Sequence, residues 1–422
     1  MGDYASRRLT RREFGQAGLV ALGGLALGAC SSAGAPAKPS GSGPAPQGQS
    51  SGGGYVPDQP LKVGVVVPQS GVYASTGTSA LAGIRLALKE WEDKGWRFEL
   101  IMEDSKAEPA TALRLVQKYI ERDQVNFILG PLSSGVLPAL RDPVDQAKVI
   151  MSTYQAANRD VTGSRCSRYI FRSTPTNYMQ GYGFGPWVAR NVGKRAYVLT
   201  ADYAAGTEIA DAIVEGFTKE GGEVLAYAKA PLSTTDFAPY MAPILDSRAD
   251  FVTGFFAGKN AIDVVKAFQQ FGVKDRMKIA YSGYLTANDV IEAEGQAETE
   301  GLYEYLDFSE SLDTPEYTAW AAKLTQQSPE ITRVSVYNVH GYTAAKAVLL
   351  GIEQARSLKS DDIADAMEKV EFAGPAGPIR FSPAHQSPLD FYVTQVQGMR
   401  HVVLDKVPNQ SDPEESDCRR TW

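Results

Sequence analysis

The residues best placed to do chemistry are short hydroxyl side chains that follow predicted strands. Ser133 and Ser134 come directly after the apolar run Phe127–Leu129 and just before a helical pattern. Hydroxyls and backbone N–H groups at such a helix start can hold a carboxylate through hydrogen bonds and the helix dipole. The same serines can also serve as an N-cap for that helix. The two roles are compatible, and the position predicts an anion-binding loop.

Catalysis at these hydroxyls would need a base, and the sequence places none near them. All three histidines, His340, His385 and His401, come after residue 339. The chain has no G-x-S-x-G turn, no P-loop and no G-x-G-x-x-G segment that opens a helix. Its cysteines and scattered histidines lack the spacing of metal ligands. We therefore predict a binding protein, not an enzyme, with no cofactor and no metal.

Composition and charge describe a globular, acidic protein. The 422 residues are 43% hydrophobic and 22% charged, with a formal net charge of −7. This length is sufficient for two domains of ordinary size. An acidic chain lacks the basic face that phosphate backbones require, so we expect no nucleic-acid partner.

The first 60 residues indicate targeting rather than a folded domain. Thr10–Phe14 (TRREF) resembles a twin-arginine export signal, and the apolar run Ala17–Ala29 is too short to span a bilayer comfortably. Leu27–Cys30 (LGAC) resembles a bacterial lipobox, which implies that Cys30 is lipidated and becomes the first mature residue. Residues 31–60 are rich in Ser, Gly, Pro and Ala and predict a flexible tether. The alternative is an uncleaved membrane anchor, which would also leave the remaining chain outside the cytoplasm.

Two further cysteines, Cys166 and Cys418, lie far apart in the sequence. Disulfides persist in exported proteins, so we expect these two to pair and to tie the C-terminal tail to the body. Two free thiols are the alternative.

From Leu61 onward, β-branched runs alternate with longer amphipathic runs. The first half predicts strands at 63–67, 98–102, 127–129 and 149–151, with helices at 80–91, 109–120 and 136–147. The second half predicts strands at 196–200, 223–227, 251–255 and 279–281, with helices at 209–220 and 261–271. Such alternation predicts parallel sheets covered by helices. We predict an α/β fold of two doubly wound lobes, with the ligand bound outside the carboxyl ends of the strands.

With these elements in place, the chain resembles the periplasmic binding proteins of the leucine/isoleucine/valine type. The resemblance covers about residues 61–405 and rests on ordered motifs: KVGVVVPQSGVYASTG at 62–77, LGPLSSG at 129–135, YIFRST at 169–174, ADYAAG at 201–206 and TTDF at 234–237. It implies two Rossmann-like lobes joined by three hinge crossings, near 173–177, 302–306 and 386–391. The implied segments are an export signal at 1–29, a lipidated disordered tether at 30–60, lobe 1 at 61–174 and 305–387, and lobe 2 at 175–304 and 388–422 with the C-terminal tail.

The resemblance also implies which residues contact the ligand. They are Ser70, Tyr73, Thr76, Ser133, Ser134, Tyr154, Gln155, Ala156, Ala157, Tyr203, Phe256 and Tyr284. Two departures from the family pattern stand out: Ala156 and Ala157 occupy the part of the loop 153–158 where the family often has a threonine, and no acid stands near Tyr284. Since a buried ammonium group needs an anionic partner, the missing acid favours a carboxylate on an aromatic or larger apolar body. The alternative is that Asp202 or Asp289 supplies the charge and the ligand is an amino acid.

The family function implied is that of a solute-binding protein of an ABC importer. Ligand contacts from both lobes are complete only when the cleft closes, so the ligand favours the closed form. The implied partners are a small-molecule ligand and ABC permease subunits in the membrane. We expect a monomer anchored to the outer face of the cytoplasmic membrane, at the cell surface or in the periplasm. The alternative function is a ligand sensor of the same fold that signals to a membrane receptor.

Overall fold

The strands of this computed structural model, which describes residues 54–422, form two large sheets and one hairpin. The strands are β1 (Leu61–Val67), β2 (Phe98–Asp104), β3 (Phe127–Leu129), β4 (Ile150–Thr153), β5 (Ile170–Arg172), β6 (Arg195–Ala201), β7 (Glu223–Ala230), β8 (Phe251–Thr253), β9 (Lys278–Ser282), β10 (Tyr303–Leu306), β11 (Glu371–Gly374), β12 (Gly377–Arg380), β13 (Leu389–Gln397) and β14 (Arg400–Gln410). The first sheet has the order β2-β1-β3-β4-β5 and is parallel throughout. Its strand β1 is buried along nearly its whole length, as expected for a strand covered by helices on both faces.

The second sheet confirms the predicted parallel core and adds an antiparallel edge. Its order is β14-β13-β10-β9-β8-β6-β7. Strands β6 to β10 run parallel, whereas β13 pairs antiparallel with β10 and with β14. Strands β11 and β12 form a separate antiparallel hairpin.

The helices cover the sheets in the predicted alternation. They are α1 (Ala74–Glu92), α2 (Pro109–Lys118), α3 (Leu137–Ala147), α4 (Phe184–Asn191), α5 (Ala204–Lys219), α6 (Ala238–Asp246), α7 (Lys259–Gln270), α8 (Asn288–Glu294), α9 (Gln296–Thr299), α10 (Pro315–Gln327), α11 (Val336–Ala355) and α12 (Ser360–Met367). Helix α11 packs on α1 and reaches β3 and β4. The two helices cross closely at glycines, since a Cβ on Gly83 would lie 1.9 Å from the Asn338 carbonyl oxygen. Side chains at this crossing would therefore force the helices apart.

The chain passes between the two sheets three times. It leaves the first sheet after β5, returns to it through α10 to α12 after β10, and leaves it again between β12 and β13. The second crossing was predicted at 302–306, but Tyr303–Leu306 pair with β9 and β13 inside the second sheet. The crossing therefore follows Leu306, and the predicted boundary at 304/305 would cut a strand.

A buried arginine connects the first and third crossings. Arg172 is 1% exposed, and its Nη1 donates to the Asn158 carbonyl oxygen at 2.7 Å. Its Nε donates to the side-chain oxygen of Gln386 on the third crossing. Burial lowers the pKa of Arg172 to about 10, and the group remains protonated at neutral pH. The arginine thus holds two hinge segments side by side.

The C-terminal tail, residues 411–422, was predicted to belong to the lobe of the second sheet, but it contacts the other half of the protein. The Cα atoms of Cys418 and Cys166 lie 5.4 Å apart, a separation that a disulfide spans. Asp412 accepts from Arg159 at 2.8 Å, with the aspartate side chain 1% exposed. Both contacts join the tail to segments that surround the first sheet, so the tail forms a fourth link between the two halves.

The predicted export signal, Cys30 and most of the predicted tether lie outside the described residues. The last part of that tether is structured, contrary to prediction: the Tyr55 carbonyl oxygen accepts from Trp96 Nε1 at 3.0 Å, and the two rings pack edge to face. Within residues 54–422, no helix combines the length and the apolar character needed to cross a bilayer.

Candidate functional site

A cavity lies where the strand ends of the two sheets meet, and we call it the central cleft. Its lining residues are Tyr73, Leu132, Ser134, Gln155, Asn177, Gln180, Tyr203, Ala205, Ile209, Phe255, Ala257, Tyr284 and Tyr337. Most follow the carboxyl ends of parallel strands: β1, β3 and β4 on one side, and β6, β8 and β9 on the other. This is the edge at which open α/β sheets bind ligands.

An unbroken row of aromatic rings forms one wall of the central cleft. The ring centroids of Tyr73 and Tyr203 lie 6.4 Å apart, and those of Tyr203 and Phe255 lie 6.2 Å apart. The row continues from Phe255 to Tyr284 at 5.6 Å and from Tyr284 to Tyr337 at 5.7 Å. Rings at these separations make favourable tilted or edge contacts and offer a large apolar surface.

Two hydrogen bonds cross the cleft and hold it closed. The Tyr73 hydroxyl, after β1, donates to the Tyr203 hydroxyl, after β6, at 2.8 Å. The amide Nε2 of Gln155, after β4, donates to the Tyr284 hydroxyl, after β9, at 2.8 Å. Each bond joins a loop of the first sheet to a loop of the second, so this is the closed arrangement of the two halves.

The electrostatic character of the cleft is that of neutral hydrogen-bond donors. Burial raises the pKa of all four lining tyrosines, Tyr73, Tyr203, Tyr284 and Tyr337, so their hydroxyls stay protonated. None of the lining residues carries a charged side chain. The Tyr337 hydroxyl is buried without a hydrogen-bond partner among the described residues. A buried orphan donor in a cavity wall is satisfied once a ligand brings an acceptor.

Five of the twelve predicted contact residues line the central cleft. They are Tyr73, Ser134, Gln155, Tyr203 and Tyr284. Each lies in a loop that follows a predicted strand, where the family resemblance placed a ligand contact.

Three other predicted residues serve the loops instead of the cleft. Ser70 donates to Asp104, and Thr76 donates to the Tyr73 carbonyl oxygen at 2.8 Å. Ser133 accepts from the backbone N–H of Gly135 at 3.3 Å within the loop. It does not cap α3, contrary to the alternative considered, because the N-cap of that helix is Val136 and no side chain caps it. These hydroxyls support the loop conformations beside the cleft.

The remaining predicted residues are buried away from the cleft. Phe256 packs on Phe237 in the core of the second sheet, with ring centroids 5.3 Å apart. The prediction is one residue out, since Phe255, its neighbour in the loop after β8, lines the cleft. Tyr154 donates to the Val66 carbonyl oxygen at 2.8 Å inside the first sheet.

The two alanines of the same loop are also buried outside the cleft lining. Ala156 packs in the core of the first sheet, and the backbone N–H of Ala157 donates to Ser134 Oγ at 3.1 Å. Ala157 therefore positions a lining serine.

Besides Phe255, the lining residues that were not predicted are Leu132, Asn177, Gln180, Ala205, Ile209, Ala257 and Tyr337. Asn177 and Gln180 lie at and after the first crossing between the sheets. They do not follow the end of a predicted strand, so a search for ligand contacts in strand-end loops does not find them. Tyr337 opens α11 and reaches the cleft from far along the chain. No local pattern marks it, because its role depends on how α11 docks on α1.

The two acids considered as partners for an ammonium group do not line the cleft. Asp202 is exposed, and Asp289 accepts from Ser75 at 3.4 Å behind the loop. Glu208 does not line the cleft either, but it accepts from the lining residue Asn177 at 3.0 Å. In residues 54–422, no group of three or more His, Cys, Asp or Glu side chains is arranged to hold a metal ion.

Comparison with known proteins agrees with this geometry. A family model for periplasmic binding proteins matches residues 60–400. The Leu/Ile/Val-binding protein homolog 6 of Brucella melitensis is 27% identical over 335 residues, which cover 76% of this chain and 84% of that protein.

Two solved structures share the fold at similar identity. A solute-binding protein of an ABC transporter from R. palustris, in complex with benzoate, has a TM-score of 0.82 at 25% identity, covering 86% of this chain and all of that one. Another from Rhodopseudomonas palustris BisB5, in complex with 3,4-dihydroxybenzoic acid, has a TM-score of 0.78 at 27% identity over 84% of this chain and 98% of that one. The chain therefore belongs to the periplasmic binding proteins, in the type I group that includes the Leu/Ile/Val-binding proteins.

Proposed function

We propose that this protein captures an aromatic carboxylate in the central cleft, outside the cytoplasm, and delivers it to the permease of an ABC importer. The observation that carries this proposal is the lining itself: a row of five aromatic rings, several buried hydroxyl donors and no acidic side chain. The apolar wall matches a benzene ring, and the hydroxyls can share the negative charge of a carboxylate.

An α-amino acid fits the same lining less well. Its ammonium group would be buried without an anionic partner, which costs free energy because desolvation is not compensated. The carboxylates of Asp202 and Asp289 lie outside the lining, and that of Glu208 is separated from the cavity by Asn177. The benzoate and dihydroxybenzoate bound by the two R. palustris proteins support the same ligand class.

Release and capture require the cleft to open. The hydroxyl bond between Tyr73 and Tyr203 and the amide bond between Gln155 and Tyr284 join the two halves only in the closed form. A ligand that touches both sides adds contacts to the closed form alone, so it shifts the population toward closure. In this proposal the closed, loaded form is what the permease recognises.

The proposal includes the export and anchoring of the chain. Residues 1–29 act as a twin-arginine signal, Cys30 carries the lipid, and the monomeric binding domain sits beyond a short tether. In an oxidising compartment Cys166 and Cys418 form a disulfide. Among the described residues, the 5.4 Å separation of their Cα atoms supports this pairing.

A ligand panel tests the function directly. Thermal stability and calorimetric titration are measured with benzoate, 4-hydroxybenzoate and leucine. We expect the benzoates to stabilise the protein by about 2.7 kcal/mol at a hundred times their Kd, since they bind the folded state alone. Stabilisation by leucine with no response to either benzoate would contradict the proposed ligand class.

A pair of tyrosine variants separates binding in the cleft from binding elsewhere. Tyr203→Phe removes a hydroxyl from the cleft lining, whereas Tyr227→Phe removes one from the exposed face of β7. Only Tyr203→Phe should weaken benzoate binding. Equal effects of the two changes would place the ligand outside the central cleft.

A further inference from the structure

A row of four hydrogen-bonded side chains leads from a buried carboxylate to the cleft wall. Asp307 Oδ2 lies 2.8 Å from Nε2 of His340, and Nδ1 of the same ring lies 2.8 Å from Gln155 Oε1. Gln155 Nε2 then lies 2.8 Å from the Tyr284 hydroxyl. Asp307 and His340 are 4% and 1% exposed and do not line the central cleft, whereas Gln155 and Tyr284 do. The row therefore connects the protein behind the cleft to a hydroxyl inside it.

The positions of the protons along this row follow from the chemistry of its members. In the arrangement described, both nitrogens of the His340 ring face an oxygen. A ring that donates from both nitrogens is an imidazolium. Gln155 then accepts from the ring with its oxygen and donates to Tyr284 with its nitrogen. The Tyr284 hydroxyl keeps its own proton free, and the cleft presents a hydrogen-bond donor at this point.

A second arrangement is compatible with the same heavy-atom positions. When the His340 ring is neutral and keeps its proton on Nε2 toward Asp307, its Nδ1 becomes an acceptor. The Gln155 amide must then turn over, so that its nitrogen faces the ring and its oxygen faces Tyr284. The Tyr284 hydroxyl now donates to Gln155, and the cleft presents oxygen lone pairs instead of a proton.

We propose that Asp307 and His340, acting through Gln155, decide whether Tyr284 offers the ligand a donor or an acceptor. They are positioning residues for ligand specificity, and the proposal rests on the proposed function in placing the ligand in this cleft. With the ring charged, the cleft favours acceptors such as a carboxylate. With the ring neutral, it favours ligands that donate a hydrogen bond at this point.

Other charged groups near His340 are arranged so that they do not replace Asp307. A second cavity behind the ring is lined by residues from the hairpin and from β13, including Arg380 and Asp390. Asp390 is paired with Lys406 at 2.7 Å, and Arg380 donates to Asn409 at 2.9 Å. Asp307 is the carboxylate that contacts the ring, at 2.8 Å.

Variants of the row test the proposal. Asp307→Asn removes the carboxylate that pairs with a charged His340 ring, so the neutral ring becomes favoured and Tyr284 turns its lone pairs toward the ligand. We expect the affinity for benzoate to fall roughly tenfold, which corresponds to the loss of one hydrogen bond to a charged group. In Tyr284→Phe the wall has no hydroxyl to turn, so adding Asp307→Asn to that variant should leave the affinity unchanged. A benzoate affinity that Asp307→Asn does not change would overturn the proposal.

A measurement on the empty protein separates the row from the ligand assignment. The chain has three histidines, so the ring signals of His340 can be assigned in nuclear magnetic resonance spectra with a His340→Gln variant. We expect the side-chain amide signals of Gln155 to change together with the ring signals of His340 in Asp307→Asn. Amide signals that stay unchanged would overturn the proposal. If they change with the ring while benzoate fails to bind the wild type, the row stands and the proposed ligand class is wrong.

Discussion

Removing the Tyr337 hydroxyl should change stability and affinity in opposite directions. Tyr337 is 2% exposed, and its hydroxyl has no hydrogen-bond partner among the described residues. An unsatisfied buried polar group costs about 1–3 kcal/mol. Tyr337→Phe deletes this group and keeps the ring that packs on Tyr284. We therefore expect the free energy of unfolding of the empty protein to stay the same or to rise by up to about that amount.

Ligand binding should respond with the opposite sign. If a carboxylate accepts from Tyr337, the variant loses a hydrogen bond to a charged group, which is worth about 1.5–3 kcal/mol. The Kd for benzoate should then rise by roughly tenfold to over a hundredfold. Stability is measured by urea unfolding of the empty protein, and affinity by calorimetric titration with benzoate.

The chain offers a matched control in Tyr305. Its hydroxyl is also buried without a partner in the described part of the chain, but the ring stacks between Phe184 and Phe391, with centroids 5.5 Å and 4.6 Å away, in the core. Tyr305→Phe should match Tyr337→Phe in stability and leave benzoate affinity unchanged. If Tyr337→Phe binds benzoate as tightly as the wild type, its hydroxyl does not reach the ligand and this reasoning fails.

Three further perturbations test the closure of the cleft, the tail and the response to acid. Tyr203→Phe removes the 2.8 Å hydrogen bond between the Tyr73 and Tyr203 hydroxyls, so the cleft of the empty protein should open. Small-angle scattering should then give a larger radius of gyration than for the wild type. An unchanged scattering profile would contradict the role of this bond in closure. Replacing Cys166 and Cys418 with serine removes a disulfide between residues that are 252 positions apart. In the chain-entropy model this should lower the free energy of unfolding by up to about 5 kcal/mol. Peptide mapping that finds both thiols free in the wild type would reject the disulfide. The hydrogen bond from His385 holds the pKa of Glu368 at about 2, below its usual 4.5, so the stability it contributes is present above pH 4.5 and is lost as the pH falls toward 2. Urea unfolding of Glu368→Gln should therefore show a shallower loss of stability over that interval than the wild type, and parallel pH profiles would exclude this role.

The sequence alone predicted the parts of the site that depend on local pattern. Continuous β-branched runs gave the parallel strands, and in such sheets the loops at the carboxyl ends meet on one edge. The resemblance to the family then implied that Tyr73, Ser134, Gln155, Tyr203 and Tyr284 lie on these loops and contact the ligand. The absence of an acid near Tyr284 also pointed to the ligand class that we now propose.

Only the tertiary structure decided the features that depend on docking between distant segments. The course of the loop after β8 places Phe255 in the cleft lining and Phe256 in the core of the second sheet. The docking of α11 brought Tyr337 to the cleft and His340 to Gln155, which lies 185 residues earlier in the chain. Contacts between residues so far apart leave no periodic trace in the sequence, since periodicity reports only which face of an element is buried. Such contacts depend on how entire helices and strands pack against each other, and in this protein the packing of α11 completes the lining of the central cleft.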